Sequence, residues 1–224
     1  ELANQNYSVI ISGRNKKKLE KIFKIKKNIN SFITIDFERE NNFEELKNFF
    51  LKKKIKLNGV IHFGAIHNFS PLRSINYEIF KKIYKINVFS LINLIKFFSD
   101  YKYRDKKNSS IVSISSVSSL EGNKGISLYS SSKAASNNLV KCYAKELANK
   151  KIRINSIIIG HTNEGMGKKI NTKLSKDQIN ELLKKHPLGF GGHRDVLSAV
   201  KFLISDESKW ITGTELVVDG GYLL

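Results

Sequence analysis

Short apolar runs rich in β-branched residues alternate with longer amphipathic segments along most of the chain. The apolar runs predict strands, because a strand that is buried on both faces reads as a nearly continuous hydrophobic run. The predicted strands cover residues 7–12, 32–36, 60–63, 109–114, 153–159 and 215–218. The amphipathic segments predict helices over residues 15–27, 42–54, 77–98, 128–149 and 195–205.

The regular alternation of strand and helix decides the predicted fold class. It favours a parallel sheet with helices on both faces. Right-handed crossovers make this a doubly wound, Rossmann-like, three-layer α/β/α fold. No repeat or linker interrupts the sequence, so we expect a single domain over residues 1–224. Its longest irregular segment covers residues 161–187, with one short helix near residues 176–185, and we expect it to act as a substrate lid.

Composition and charge change this picture little. The chain carries 39 Lys and Arg against 20 Asp and Glu, a formal net charge of +19. Most of the basic residues are lysines scattered over many segments, whereas specific nucleic-acid recognition relies heavily on arginine. We therefore expect solvated basic faces and no nucleic-acid partner. No apolar run approaches the roughly 20 residues that span a bilayer, so we expect no membrane partner either.

Cysteine and histidine usage excludes two further kinds of site. Cys142 is the only cysteine, so the chain forms no intrachain disulfide and no cysteine-based zinc cluster. The five histidines lack the spacing of a metalloprotease motif, and we expect no metal site. Such sparing use of cysteine fits a cytoplasmic protein.

Tyr129 and Lys133 form the strongest chemical signal. They stand four residues apart in the predicted helix 128–149, so both lie on one helix face. A phenol with a pKa near about 10 is a poor acid or base at neutral pH. A neighbouring ammonium lowers that pKa and favours proton exchange with an alcohol or ketone oxygen. Taken alone, the pair also fits an aromatic anchor beside a solvated lysine.

Ser116 and Asn87 add to this chemistry. Ser116 follows the strand 109–114, and ligands of open α/β sheets bind beyond the carboxyl ends of the strands. Its hydroxyl could hold a substrate oxygen beside Tyr129, or it could be a turn or cap serine. Asn87 lies within the helix 77–98, where asparagine is unfavourable unless its side chain or a local distortion is used. It could hold a water in a proton relay, or it could be an exposed helix residue.

These four residues together resemble the catalytic tetrad of the short-chain dehydrogenase/reductase family, in the spacing Ser–x12–Tyr–x3–Lys. Residues 210–221 (WITGTELVVDGG), residues 187–192 (PLGFGG) and the strand that begins at Arg153 are similar to that family as well. The resemblance covers essentially the whole chain. It implies an oxidoreductase that transfers a hydride between a nicotinamide cofactor and a ketone or secondary alcohol.

The resemblance also implies a task for each member of the tetrad. Tyr129 would be the general acid in ketone reduction. Lys133 would lower the pKa of that tyrosine and hold the nicotinamide ribose. Ser116 would polarise the substrate carbonyl, and Asn87 would complete a water-linked proton path.

Gly13 and Arg14 bear on the choice of cofactor. A Rossmann site that prefers NAD usually places an acid at the end of the fold's second strand, bonded to the ribose 2′-hydroxyl. The strand 7–12 of this chain corresponds to that second strand, and Gly13 stands at its end in place of an acid. Arg14 can pair with a 2′-phosphate through its planar guanidinium, so the residues favour NADP(H) over NAD(H). A solvated arginine at a helix start is the alternative. By resemblance, Asp36 and Phe37 flank the adenine, Phe63 and Gly64 line the adenosine ribose, and Thr162 approaches the nicotinamide.

Three features depart from the family's pattern. The turn Asn-Asn-Ala-Gly appears as residues 62–65 (HFGA), where His62 either replaces an asparagine or is a core histidine. Glu164 stands where the family commonly has a threonine. Residues 1–3 resemble the end of the family's first helix, so we expect the first strand and the glycine-rich phosphate loop, roughly two dozen residues, to be missing from this sequence.

The resemblance leaves the substrate open. A 3-oxoacyl thioester on a carrier and a sugar-type substrate both fit an oxidoreductase of this kind. A non-catalytic cofactor-binding or scaffold relative is the alternative from another functional class. Family members usually form dimers or tetramers, which implies a homodimer or homotetramer that packs through the helices 77–98 and 128–149 and through residues 222–224.

Overall fold

The structure is a computed structural model and describes residues 2–5, 7–26, 29–39, 42–107 and 109–224. Its strands are β1 (Val9–Gly13), β2 (Ile29–Thr34), β3 (Gly59–His62), β4 (Ser109–Ser116), β5 (Ile152–Ile159) and β6 (Glu215–Val218). Its α-helices are α1 (Lys16–Ile25), α2 (Asn42–Lys53), α3 (Tyr77–Tyr84), α4 (Ser90–Ser99), α5 (Ser127–Leu147), α6 (Gly165–Asn171), α7 (Lys176–Lys184) and α8 (His193–Ile204). None of these described helices combines the length and the apolar character that crossing a bilayer requires.

The described strands pair in parallel, in two hydrogen-bonded groups. β1 pairs with β2, and the larger group has the order β3-β4-β5-β6. The longest ladder joins β4 to β5, from Ser109 opposite Ile152 to Ser116 opposite Ile159. Parallel pairing in register brings the carboxyl ends of neighbouring strands to one edge of the sheet. In open α/β sheets this edge is where ligands bind.

Helices cover both faces of the larger sheet. Ile111 of β4 belongs to a buried cluster with Leu91 of α4 and Val140 of α5. The next residue, Val112, points to the opposite face, where it belongs to a second cluster with Val200 of α8. The predicted doubly wound, three-layer α/β/α class is therefore confirmed.

Several element boundaries differ from the predicted ones. β2 ends at Thr34, so Asp36 lies in the turn beyond the strand and not at its end. β4 continues to Ser116, so this serine is the last residue of the strand and not a residue that follows it. Lys27, predicted as the last residue of the first helix, lies outside the described residues.

The helix predicted over residues 77–98 consists of three parts. Five residues of π-helix, Lys85–Phe89, join α3 to α4. A π segment is a local bulge within an α-helix and is frequent at functional sites. Asn87 lies at the centre of this segment, so the distortion that a mid-helix asparagine suggests is present.

The lid-like segment 161–187 contains two helices where the sequence predicts one. The predicted helix is α7, which begins at a capping box between Ser175 and Gln178. The additional helix, α6, begins at Gly165 and contains Gly167, and the low helix propensity of glycine hides it from sequence analysis. Packing explains the second glycine, because a Cβ atom there would collide with the backbone oxygen of Thr162.

Candidate active site

Tyr129 and Lys133 stand one turn apart in α5 and are both buried against the carboxyl end of β4. Their exposed fractions are 7% and 4%. The Nζ atom of Lys133 donates a hydrogen bond of 2.8 Å to the backbone oxygen of Ile114 and lies 5.9 Å from the centre of the Tyr129 ring. This burial excludes the alternative of an aromatic anchor beside a solvated lysine.

Ser116 joins this pair from the end of β4. Its Oγ atom accepts a hydrogen bond of 3.2 Å from the backbone N–H of Ser118 and shares a hydrogen bond with the phenol group of Tyr129. The first contact caps the short 3-10 helix Val117–Ser119. Ser116 is thus a capping serine whose hydroxyl also lies beside the tyrosine.

The protonation of Tyr129 and Lys133 differs from the sequence-based expectation. Burial raises the pKa of Tyr129, and the hydrogen bond with Ser116 opposes that rise. Burial also lowers the pKa of Lys133 to about 8. The expected lowering of the tyrosine pKa by the lysine is wrong for this structure, because desolvation disfavours the phenolate more strongly. The phenol therefore keeps its proton at neutral pH.

Asn87 is fully engaged in hydrogen bonds. Its Oδ1 atom accepts from the backbone N–H of Ile66 at 2.8 Å, and its Nδ2 atom donates to the backbone oxygen of Ile66 at 3.1 Å and to Ser132 Oγ at 2.9 Å. Its backbone oxygen accepts a bond of 3.0 Å from Ser136 Oγ. With 1% exposure it is not the exposed helix residue of the alternative. Asn87 ties the loop after β3 to α5 and so holds that loop near Tyr129.

His67, in the loop that Asn87 holds, contacts Tyr129 directly. The two ring centres are 4.7 Å apart, and the ring planes make an angle of 61°. Burial and the charge of Lys173 lower the pKa of His67. No sequence motif marks this residue, since the contact joins a loop to a helix that is remote along the chain. Its one signal was its place just after a strand, at the edge where ligands of such sheets bind.

His62 proves to be a buried core histidine. Its Nε2 atom lies 2.8 Å from Ser90 Oγ, and the hydroxyl of Ser90 donates a bond of 2.5 Å to the backbone oxygen of Ile86. Because the hydroxyl of Ser90 already donates its proton to Ile86, the Nε2 atom of His62 is the donor in the bond between His62 and Ser90. Burial, together with the charge of Lys133, lowers the pKa of His62 to about 3, so the ring is neutral.

Arg14 lies at the other end of the candidate site, in the turn after β1. Its side chain is 65% exposed, and its Nη1 atom is 3.7 Å from the carboxylate of Glu38. Arg14 lines a cavity of about 190 Å³ together with Asp36, Arg39 and Asn42. An exposed planar guanidinium at the wall of a polar cavity fits a 2′-phosphorylated adenosine, because it offers paired donors to phosphate oxygens.

The other predicted adenosine-side residues meet where β2 and β3 end. The Oδ1 atom of Asp36 accepts a bond of 3.1 Å from the backbone N–H two residues further on. A Cβ atom at Gly64 would lie 2.8 Å from the ring of Phe37 and 2.9 Å from Nε2 of His62. Glycine therefore allows these two rings to approach the backbone closely. Phe63 is 63% exposed beside them.

Thr162 and Glu164 open the lid-like segment after β5. The hydroxyl of Thr162 donates to the backbone oxygen of Glu164 at 3.2 Å. The carboxylate of Glu164 accepts a hydrogen bond of 2.6 Å from the backbone N–H of His193. The same carboxylate lies 2.6 Å from the ring Nδ1 atom of His193. A carboxylate is stabilised at the first residue of a helix by the helix dipole. Glu164 thus binds the start of α8, which gives this departure from the family pattern a structural reason.

The predicted site residues therefore fall into two groups and one separate residue. The first group lies around the carboxyl end of β4 and the start of α5 and contains Ser116, Tyr129, Lys133 and Asn87. The second group lies around the carboxyl ends of β1, β2 and β3 and contains Arg14, Asp36, Phe37, Phe63 and Gly64. Thr162 follows β5 and is bonded within the lid-like segment. Within the described ranges, no three His, Cys, Asp or Glu side chains are grouped so as to hold a metal ion.

Known proteins of similar sequence carry names that agree with this site. A family model described as enoyl-(acyl-carrier-protein) reductase matches residues 1–223. A 3-oxoacyl-(acyl-carrier-protein) reductase of Rickettsia felis is 31% identical over 217 residues, which are 96% of this chain and 86% of that protein. A protein of the same name from Thermotoga maritima is 33% identical over 143 residues, which are 63% of this chain and 56% of that protein. The second alignment thus spans little more than half of the relative's length.

Solved structures of similar fold were determined with either nicotinamide cofactor. A 4-hydroxyisoleucine dehydrogenase complexed with NADH is 25% identical, with a TM-score of 0.90 over 99% of this chain and 90% of that one. The protein ElxO with NADP bound is 27% identical, with a TM-score of 0.85 over 99% of this chain and 91% of that one. Together with the motifs and the parallel sheet, these similarities show that the chain belongs to the short-chain dehydrogenase/reductase family of oxidoreductases, among members that resemble 3-oxoacyl-(acyl-carrier-protein) reductases.

Proposed function

We propose that the protein is an NADP(H)-dependent oxidoreductase that transfers a hydride between the nicotinamide and a ketone or secondary alcohol. The observation that carries the proposal is the buried pair of Tyr129 and Lys133 beside the partly buried Ser116 at the carboxyl end of β4. A general acid, a cation and a second hydroxyl lie there at the sheet edge where ligands of this fold bind.

Ser116 and Tyr129 have separate tasks in the proposed reduction. In the free protein the hydroxyl of Ser116 bonds the phenol of Tyr129, and in the proposed complex it turns to donate to the substrate carbonyl oxygen. Because burial raises the pKa of Tyr129, the phenol holds its proton at neutral pH and donates it to the carbonyl oxygen during reduction. The bound nicotinamide supplies the hydride. The protonated phenol suits reduction better than alcohol oxidation, which requires a phenolate.

Lys133 and Asn87 support that proton transfer. The ammonium of Lys133 lies near the Tyr129 ring and stabilises the phenolate that proton donation leaves behind. One of its three N–H groups is bound to Ile114, and the others can hold the nicotinamide ribose. Asn87 acts by position, since it fixes the loop that carries His67 against the tyrosine.

The proposed preference for NADP(H) rests on Arg14. Replacing Arg14 by Gln should weaken binding of adenosine 2′,5′-bisphosphate about 10- to 100-fold, because a charge-assisted, paired hydrogen bond to phosphate is lost. Binding of adenosine 5′-monophosphate should change less than about twofold, since it lacks the 2′-phosphate. Titration calorimetry with both nucleotides checks this. An equal loss for both would show that Arg14 does not read the 2′-phosphate.

For the substrate we favour a 3-oxoacyl thioester, free or bound to a carrier, because curated relatives with that reductase name cover most of the chain. A sugar-type ketone is the second candidate within the same reaction class. We assign the segment 161–187, with α6 and α7, as the lid over this substrate.

A direct assay tests the proposed reaction. The full-length protein is incubated with NADPH and a panel of ketones that includes a 3-oxoacyl thioester, and the loss of NADPH absorbance is followed. Turnover of one or more ketones is the expected result. No turnover on any of them, combined with nucleotide binding, would instead support a non-catalytic cofactor-binding or scaffold protein. Turnover with NADH and not with NADPH would contradict the proposed cofactor preference.

We also propose that the protein forms a homodimer or homotetramer and that residues 1–224 belong to one domain. Exposed apolar side chains support the assembly: Tyr77 of α3 is 69% exposed, Phe89 of the π segment is 54% exposed, and Leu224 is fully exposed. Apolar surface of this kind is often covered by a partner.

A further inference from the structure

Glu38 occupies a position between the proposed 2′-phosphate site and α3. One carboxylate oxygen lies 3.7 Å from Nη1 of Arg14, and the other lies 3.1 Å from Nζ of Lys82. Its backbone oxygen accepts a bond of 2.6 Å from Nζ of Lys85. Glu38 is therefore held from both sides, more closely by the lysines than by the arginine.

We propose that Glu38 limits the preference for a 2′-phosphorylated adenosine, because its carboxylate competes with the phosphate for Arg14. The inference rests on the proposed NADP(H) preference and names a second residue that sets its strength. Before the nucleotide binds, the guanidinium faces Glu38. To bind a phosphate with paired hydrogen bonds, the guanidinium must turn away from that carboxylate.

The geometry makes this exchange feasible without moving Glu38. The side chain of Arg14 is 65% exposed and the contact at 3.7 Å is long, so the pair contributes little stability and can open. The shorter contacts with Lys82 and Lys85 keep Glu38 in place when Arg14 turns away. A carboxylate then remains close to the bound phosphate.

Two effects of Glu38 therefore act in the same direction. Its pairing with Arg14 must be broken, and its negative charge repels the phosphate, so both weaken binding of the 2′-phosphorylated nucleotide. Neither affects a nucleotide with a free 2′-hydroxyl to the same extent. Lys82 reduces both effects, because it neutralises Glu38 and draws it toward α3.

The first test replaces Glu38 by Gln in the full chain. Gln keeps the size of the side chain and leaves the backbone oxygen that binds Lys85. Adenosine 2′,5′-bisphosphate should bind about three- to tenfold more tightly to the variant, as expected for removal of one partly exposed competing charge. Adenosine 5′-monophosphate should bind within about twofold of its original affinity. Titration calorimetry measures both.

The second test changes Lys82 and uses its neighbour as a matched control. Lys82→Gln should weaken binding of the bisphosphate, because Glu38 then has Arg14 as its remaining side-chain partner. Lys81→Gln removes the same charge from the neighbouring position of α3, and Lys81 has no ion pair with Glu38 within the described ranges. If the loss of bisphosphate affinity came only from the lower positive charge of the protein, it would be equal in the two variants. In a Glu38→Gln background, the extra loss caused by Lys82→Gln should disappear.

Different outcomes separate this inference from the proposed function. If the original protein prefers the bisphosphate and Glu38→Gln leaves that preference unchanged, Glu38 does not compete and the inference is wrong. If the original protein shows no preference and Glu38→Gln creates one, the inference holds and the proposed preference of the original protein fails. Equal tightening for both nucleotides would overturn the inference, and failure of every variant to bind either nucleotide would overturn both.

Discussion

Replacing Tyr129 by Phe is expected to lower kcat/KM for ketone reduction about 100- to 10,000-fold, which raises the barrier by about 3 to 5 kcal/mol. The ring and its contact with His67 remain, so the variant removes the hydroxyl and little else. Without the phenol proton, the reduced carbonyl oxygen has no buried acid beside it. Ser116 can still donate a hydrogen bond, but a serine hydroxyl is far too weak an acid to replace the phenol.

The matched control for this variant is Tyr84→Phe. The hydroxyl of Tyr84 donates a bond of 3.0 Å to Ser131, which lies in the same helix turn as Tyr129 and Lys133. That variant also removes one tyrosine hydroxyl from the surroundings of α5, so a general disturbance of the helix would appear in both. Nucleotide affinity, measured alongside, should be unchanged in both variants. Near-original turnover of Tyr129→Phe would exclude Tyr129 as the proton donor.

The chemical group at the centre of the site is predictable from the sequence, because its geometry is local. The distance between Tyr129 and Lys133 follows from one turn of helix in any protein, and the structure places both side chains on the same inner face. The strand that ends at Ser116 was recognisable from its apolar run. The fold class followed in the same way, from the alternation of periodic segments.

Contacts between distant segments could not be obtained in this way. The ring contact of His67 with Tyr129 and the ion pair of Glu38 with Lys82 each join segments that are remote along the chain. Neither residue carries a motif of its own. Both contacts depend on how loops at the ends of strands meet a helix, which local periodicity does not determine.

The protonation states of the site residues also could not be predicted from the sequence. A lysine four residues from a tyrosine predicts a lowered phenol pKa, but the sign of the net shift depends on how deeply the phenol is buried. The contacts of Glu164 could not be predicted from its place in the sequence either. The sequence shows only that it replaces a threonine of the family pattern, whereas its partner in the structure is the start of α8.

His62 leads to the second large expected effect, a loss of stability in mild acid. Its pKa of about 3 in the folded protein lies well below the usual value of 6.5. Below pH 6.5, His62 therefore becomes protonated in the unfolded chain but stays neutral in the folded protein. The stability contributed by neutral His62 is fully present above pH 6.5 and is lost as the pH falls toward 3, by about 1.4 kcal/mol per pH unit.

The variant His62→Asn isolates this contribution, because Asn cannot titrate but still offers an N–H donor toward Ser90 Oγ. Between pH 6.5 and 4.5, the free energy of unfolding of the original protein should fall by about 2 kcal/mol more than that of the variant, since half of the unfolded histidine is already protonated at pH 6.5. Urea unfolding at several pH values measures both, and the other titrating groups, His67 and His161 among them, cancel in the difference. Parallel curves would mean that folded His62 takes up its proton near pH 6.5. In that case the bond to Ser90 would not fix a neutral ring, and His62 would carry a charge beside Lys133 in acid.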